Sequence, residues 1–354
     1  MDDFLPLARR AFRTLHGLPD AGQAVLAPEA RDRLFAWARR HRLTGLLQAG
    51  LPETGEALRT AAYGQAQHAT RFAHEAERLS ALLAPRLRTL ALLKGPALAA
   101  QAWPEAGLRS FDDLDFLCDG SDFQAFAAGM AKAGYAPEHA DPNRRAHLWH
   151  YGWGATFLHP DGFMAEANRR FFPPHYPWPR ALDAGRKDLF IEQKLEDGTV
   201  RAPTPALHLL LGCEHAIWHG WARLAWVADI AGLLARQAGI LPQALALAAQ
   251  CPFAKNALAA GCGVAEAIFG PGLCAAAAPP AVIGEAVALL NGTARAMDGR
   301  DLRRFHETFM TETERAAYRF RRMTTPGDGD FRWISLPPAL RGLYWILRPI
   351  RGIR

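Results

Sequence analysis

Asp113 and Asp115, separated by one residue, and the Lys94-Gly95 pair upstream are the residues of this chain whose types and spacing could do chemistry. If the apolar run from Asp112 to Cys118 is a strand, alternation puts both carboxylates on one face and Leu114 and Phe116 on the other. Two carboxylates side by side repel each other unless a cation lies between them, and hard oxygen ligands of this kind suit magnesium or manganese. Lys94-Gly95 ends a second apolar run, Leu90 to Leu93, and leads into a helix-like segment from Pro96 to Trp103. The economical reading is a metal-dependent site that handles phosphates.

The elements that must position these residues follow from periodicity. Residues 1–87 read as an N-terminal helical unit, rich in alanine, leucine and arginine, with the Leu51-Pro52-Glu53-Thr54-Gly55 break as a helix boundary. Residues 88–170 read as a small α/β core. Strands are predicted at Thr89–Leu93, Asp112–Cys118, Gly152–His159 and Gly162–Asn168, with a helix from Ser121-Asp122 to Ala133 that ends at Gly134. Residues 171–203 open with Phe171-Phe172-Pro173-Pro174-His175-Tyr176-Pro177-Trp178-Pro179, which cannot be regular helix and reads as a linker or a lid. Residues 204–354 read as a C-terminal helical unit. Thr204-Pro205 is an N-cap followed by proline at the first helical position, and further helices are predicted at Leu224–Gln237, Leu241–Gln250, Ala254–Phe269, Ala281–Met297 and Leu302–Phe320. The fold class is α+β and mostly helical.

Composition bounds the function. The chain has 354 residues, half of them apolar and 21% charged, the balance of a globular protein. No run reaches the roughly eighteen apolar residues of a membrane span, and the start shows no basic and then apolar leader, so the expectation is a cytoplasmic protein. Five cysteines form no CxxC pair and read as small buried hydrophobes. The net charge of +6 would help attract a phosphorylated substrate, but no basic block interleaved with aromatics appears before the last stretch, so nucleic acid is not favoured. The end, Trp333 to Arg354, mixes aromatics, leucines and arginines. It is expected to dock as a final helix, with peripheral membrane contact as the secondary reading.

The ordered set Leu92-Leu93-Lys94-Gly95-x-x-Leu98, Arg109-x-x-x-Asp113-x-Asp115, Ala133-Gly134-Tyr135, the isolated Glu166, and His215 with Trp221, Leu224 and Asp229 resembles the bacterial "nucleotidyltransferase family" proteins of the DNA polymerase beta-like superfamily. A weaker echo follows at Leu336-Pro337 and Arg348-Pro349. The resemblance implies a nucleotidyltransferase-type α/β core with a mixed sheet between the helical units. It implies that Lys94-Gly95 holds the nucleotide phosphates, with Gly95 letting the backbone approach, the helix N-terminus favouring the anion and Lys94 adding a point charge. It implies that Asp113, Asp115 and a third carboxylate, Glu166, hold magnesium or manganese, because two-metal phosphoryl chemistry takes a cluster of acids. The commoner superfamily pattern has Gly followed by Gly or Ser where this chain has Lys94-Gly95-Pro96, and Asn168 stands where the family often carries a histidine.

Arg109 either clamps a phosphate or pairs with Asp112 or Asp113, and Arg169 and Arg170, just after Glu166, are secondary candidates for phosphate contact. His215 and Asp229 are expected either to line the nucleotide cleft or to tie helices together. His208, His215 and His219 fall near one helix face, so a zinc site with Asp229 is the alternative reading. His147 and His150 are placed in a loop beside Trp149. The expected activity is transfer of a nucleotidyl group from a nucleoside triphosphate to a hydroxyl or phosphate of a peptide or small-molecule acceptor, since relatives accompany bacterial biosynthetic genes. The rivals are a glycosyltransferase whose aspartate pair binds a nucleotide sugar, and a non-catalytic nucleotide-binding or regulatory protein.

Overall fold

The computed structural model describes residues 3–19, 24–152, 154–179, 182, 186–274 and 279–352. Four helices come first: α1 (Leu5–Leu15), α2 (Arg31–His41), α3 (Thr44–Gly50) and α4 (Glu56–Leu83). Small residues let α1 and α3 cross closely, and a Cβ on Gly50 would lie 2.5 Å from Ala11 Cα. The predicted break at Leu51–Gly55 is a 3-10 turn, and Gly55, at φ +95°, starts the alanine- and leucine-rich α4.

The central unit runs β1 (Leu90–Leu92), α5 (Pro96–Ala102), β2 (Leu114–Cys118), α6 (Phe123–Lys132), β3 (Ala136–Pro137), α7 (Pro142–Tyr151), β4 (Gly154–Leu158) and β5 (Met164–Asn168). The sheet order is β1-β2-β5-β4-β3, with β2 and β5 parallel and the other neighbours antiparallel. This is the expected mixed sheet in a mostly helical α+β fold. The segment around His147 and His150 is not a loop but α7, started by Asp141, whose side chain accepts the Asn143 N–H, with Pro142 at the first helical position. Residues 171–203, read as linker or lid, also carry a hairpin, β6 (Phe190–Lys194) and β7 (Thr199–Pro203).

The remaining helices are α8 (Pro205–Trp218), α9 (Leu224–Arg236), α10 (Ile240–Ala248), α11 (Pro252–Phe269), α12 (Pro280–Leu290), α13 (Gly299–Thr308), α14 (Glu312–Thr324), α15 (Asp328–Trp333) and α16 (Tyr344–Gly352). The helix predicted over Leu302–Phe320 is two helices. Thr311 and Glu314 form a capping box that starts α14 afresh. Among the described residues no single helix is long and apolar enough to cross a membrane; α9 and α10 reach that composition only as a pair bent by 119°.

Two buried apolar clusters decide where chemistry can sit. One lies between α4, α6 and one sheet face, with Phe72, Leu79, Leu83, Leu114, Phe116, Phe126 and Phe157. The other joins α1–α3 to α8, α9 and α11 and takes in Ala91, Leu93 and Leu117 from the sheet's second face. The N-terminal helices are therefore shared between the two cores, α1–α3 and the start of α4 at Leu58 in one and the rest of α4 in the other. Alternation sends the even residues of β2 into the α4 side and the odd ones toward α8. The final helix docks on α7, where Tyr344 and Phe331 pack against Tyr151 and Arg348 and Arg351 both reach Asp330.

Candidate active site

The second sheet face carries the acids. Asp115 of β2 and Glu166 of β5 are register partners in the parallel pair, and Asn168, the next residue of β5 on that face, donates from Nδ2 to Asp115 Oδ1 at 3.3 Å. Asp113 precedes Asp115 on the same side. All four line a cavity of about 300 Å³ between sheet and α8, together with Lys94 and His215. Phe171, Phe172 and Pro173 wall it on one side and Trp218 and His219 on another. The proline and aromatic segment is thus a wall of the cavity.

Lys94 is aimed at the acids by the turn behind β1. The Leu93 N–H donates to the Asp115 carbonyl at 2.7 Å, so sheet pairing continues to the residue before the lysine. Gly95 then adopts φ +59°, ψ −127°, where an L side chain is strained, and a Cβ there would lie 3.4 Å from the Asp113 carbonyl. Gly95 shapes the turn without lining the cavity. His208 of α8 fixes the same turn: its Nε2 lies 2.7 Å from the Leu93 carbonyl and its Nδ1 2.7 Å from Gln101 Oε1 of α5. The outcome is an ion pair, with Lys94 Nζ 3.2 Å from the buried Asp115 Oδ2.

One ammonium faces three carboxyls, and the electrostatics show the imbalance. Burial, reinforced by Asp115, pushes the Asp113 carboxyl up to about 6. Burial, reinforced by Asp115 and Asp113, pushes Glu166 up to about 7. Burial pulls Lys94 down, but the pull of Asp115, Asp113 and Glu166 outweighs it and leaves the ammonium above its ordinary range. Burial, and next the Lys94 charge, holds His215 well below its ordinary value and His219 at about 4, so both rings are neutral donors or acceptors in the wall. The three acids are not gathered about one point. Among the described residues the only trio whose ligand atoms all lie within 4.8 Å of one another is His74, Glu77 and Asp197, partly exposed and away from this cavity.

Other expected site residues stand elsewhere. Arg109 pairs neither with Asp112 nor with Asp113, and neither it nor Asp229 lines the cavity. They bind each other in a buried two-pronged ion pair, Nε to Oδ1 at 2.8 Å and Nη2 to Oδ2 at 2.9 Å, while Trp103 Nε1 donates to the same Oδ1 at 2.7 Å. This ties the loop before β2 and the end of α5 to α9. Asp229 is thus one of the residues that hold helices together, as is Trp221, fully buried in the helical core. Asp112 turns outward to Arg42. The three histidines do not converge on a metal, because both ring nitrogens of His208 are engaged in bracing, whereas His215 and His219 meet edge to face, 4.5 Å between ring centroids, in the cavity wall. His147 is buried against Leu336, with Nε2 2.7 Å from its carbonyl. Arg169 and Arg170 donate to the carbonyls of Trp149, His150 and Gly152.

Sequence reasoning missed the part played by Asn168, although the alternation that places Glu166 on this face also places the residue two positions on. It also missed His208 as the brace of the Lys94 turn, for which no local signal exists. No curated protein and no solved structure matches the chain. A family profile described as uncharacterised nucleotidyltransferase matches residues 28–270, well over half of the chain and every element of this site, and the chain therefore belongs to that nucleotidyltransferase family.

Proposed function

We propose that this protein is a metal-dependent enzyme that moves a nucleotidyl group from a nucleoside triphosphate to a hydroxyl or phosphate of a peptide or small-molecule acceptor. The observation that carries the reading is the convergence of Asp113, Asp115 and Glu166 with Lys94 on one cavity.

The donor set fits a hard divalent cation. All its ligand atoms are carboxylate oxygens, and three acids share the single charge of Lys94, whose Nζ lies 3.2 Å from Asp115 Oδ2. Their loose spacing suits magnesium, which keeps much of its shell for water and substrate phosphates. Magnesium or manganese held by Asp113, Asp115 and Glu166 would supply positive charge at the phosphate oxygens. Lys94, kept protonated by its acidic neighbours, adds a fixed charge to the same phosphates. The neutral rings of His215 and His219 offer hydrogen bonds without adding repulsion, and Phe171, Phe172 and Trp218 limit water. In the transfer the acceptor oxygen bonds to the α-phosphorus, the bond to the bridging oxygen breaks, pyrophosphate leaves and the acceptor proton passes to solvent. The enclosure by aromatics and the volume of about 300 Å³ suit a small molecule or a peptide end better than a nucleic acid duplex.

The test is incubation of the protein with each nucleoside triphosphate and nucleotide sugar, magnesium or manganese, and candidate peptide and small-molecule acceptors, followed by mass spectrometry. A nucleotidyl adduct with pyrophosphate release supports the reading. A glycosyl adduct with a nucleoside diphosphate would replace it with the glycosyltransferase reading.

A further inference from the structure

Beyond Asn168 the β5 row that carries Glu166 leads to Arg170, and there the chemistry of the wall reverses sign. Arg169 and Arg170 line a second cavity of about 360 Å³ together with Arg321 of α14, and Phe171, Phe172 and Pro173 line this cavity and the acid-lined one alike. The remaining wall is apolar and aromatic, including Leu117, Tyr176 and Trp178, and among the described residues it contains no carboxylate.

Arg169 and Arg170 are held by backbone carbonyls. Arg169 Nη1 donates to the Trp149 and His150 carbonyls, each at 3.0 Å, and Arg170 Nη1 to the Gly152 carbonyl at 3.3 Å. These contacts orient two guanidiniums without supplying a counter-charge. Among the described residues none of the three arginines has a carboxylate within ion-pair distance; burial draws Arg169 and Arg170 below their ordinary range, and the charge of Asp119 only partly offsets this for Arg169. Three guanidiniums in an aromatic cavity whose described lining holds no carboxylate are a receptor for an anion, because their planar forks match carboxylate and phosphate oxygens two at a time.

From this arrangement we infer that the arginine-lined cavity holds an anionic group of the acceptor, a carboxylate or a phosphate carried on an apolar or aromatic body. The inference rests on the nucleotidyl-transfer reading above. The triphosphate belongs on the Lys94 side, the anionic end of the acceptor on the Arg170 side, and the shared wall at Phe171–Pro173 lies between them.

The test uses the full chain, magnesium and a non-hydrolysable ATP analogue, titrated by calorimetry with phenyl phosphate, phenylacetate and benzyl alcohol. The anions are expected to bind at least about tenfold more tightly than the alcohol, and the stronger of the two names the acceptor's charged group. Arg321→Gln, which removes no side-chain hydrogen bond or ion pair among the described residues, is expected to abolish most of that preference while the protein melts as the wild type does. Equal binding of the alcohol, an unchanged preference in Arg321→Gln, or mutual exclusion between the anions and the nucleotide analogue would overturn the inference. Nucleotide binding is read in the same titrations, so the two claims fail separately. Anions that bind without nucleotide binding support the arginine site and overturn the nucleotidyl reading; nucleotide that binds without any anion preference does the reverse.

Discussion

Asp115 and Glu166 face each other as register partners on parallel strands, and Lys94 Nζ lies 3.2 Å from Asp115 Oδ2 as the one ammonium for three carboxyls. Their pairing is set by backbone hydrogen bonds of the sheet, so Asp115 and Glu166 stand side by side before any ligand arrives. Burial first, and the neighbouring carboxylates next, displace the Asp113 and Glu166 carboxyls upward, and a bound cation would relieve it.

Removing one acid should weaken that relief more than it disturbs the fold. Asp113→Asn, Asp115→Asn and Glu166→Gln are each expected to lower manganese affinity by at least about tenfold, and transfer by about a hundredfold or more, with little loss of thermal stability. Calorimetry and melting curves on the same samples check this. Loss of folding in all three with metal affinity intact would argue for a structural role.

The displaced carboxyls also fix a pH dependence. Asp113 at about 6 and Glu166 at about 7 lie above their ordinary 3.8 and 4.5, so the metal-free fold favours their protonated forms. Their stabilising contribution is complete below the ordinary values and is lost as pH rises through 6 and 7. Cation binding needs the ionised forms and strengthens over the same window. Melting temperature against pH should fall across this range without magnesium and flatten with it; identical curves would contradict the assignment.

Arg109 and Asp229 are expected to behave as a scaffold pair. Asp229→Ala leaves the Arg109 guanidinium buried and unpaired and should cost about 3–5 kcal/mol, whereas replacing both residues by apolar ones of similar size should cost much less. Denaturant unfolding of the single and double variants measures the difference. A stable Asp229→Ala protein that has lost only nucleotide affinity would return the pair to the nucleotide site.

Glu214 supplies a test in the helical core. It is fully buried, neither carboxyl oxygen has a hydrogen-bond partner, and burial raises its carboxyl well above the ordinary value. Its stabilising form is the protonated one, present at acid pH and lost as pH rises above 4.5 toward the raised value. Glu214→Gln should therefore stabilise the protein by about 1–3 kcal/mol at pH near 8 and have little effect near pH 4. Chemical denaturation at the two pH values decides it, and an equal effect at both would show that the charge is not what matters.

The parts of this fold legible in the sequence are those with local physical signatures. Strand alternation around Asp113 and Asp115, the Thr204-Pro205 helix start and the glycine turn after Lys94 each follow from residues within a few positions of one another. The Asp141-Pro142 start of α7 and the Thr311-x-x-Glu314 capping box are equally local signals, and they mark what periodicity and composition alone do not separate: a helix around His147 and His150, and a break within Leu302–Phe320. The partner of Arg109 was not legible, because Asp229 lies far along the chain and nearer carboxylates offered the same chemistry. The same holds for His208, whose role depends on α8 lying against the turn that carries Lys94.

The most direct measurement of the central claim needs no acceptor: paramagnetic resonance of manganese titrated into the protein with a nucleoside triphosphate, compared between the wild type and Asp115→Asn. The account expects a protein-bound manganese and nucleotide signal in the wild type that is lost in the variant. Nucleotide binding that ignores manganese, or a bound manganese signal that survives unchanged in Asp115→Asn, would contradict it.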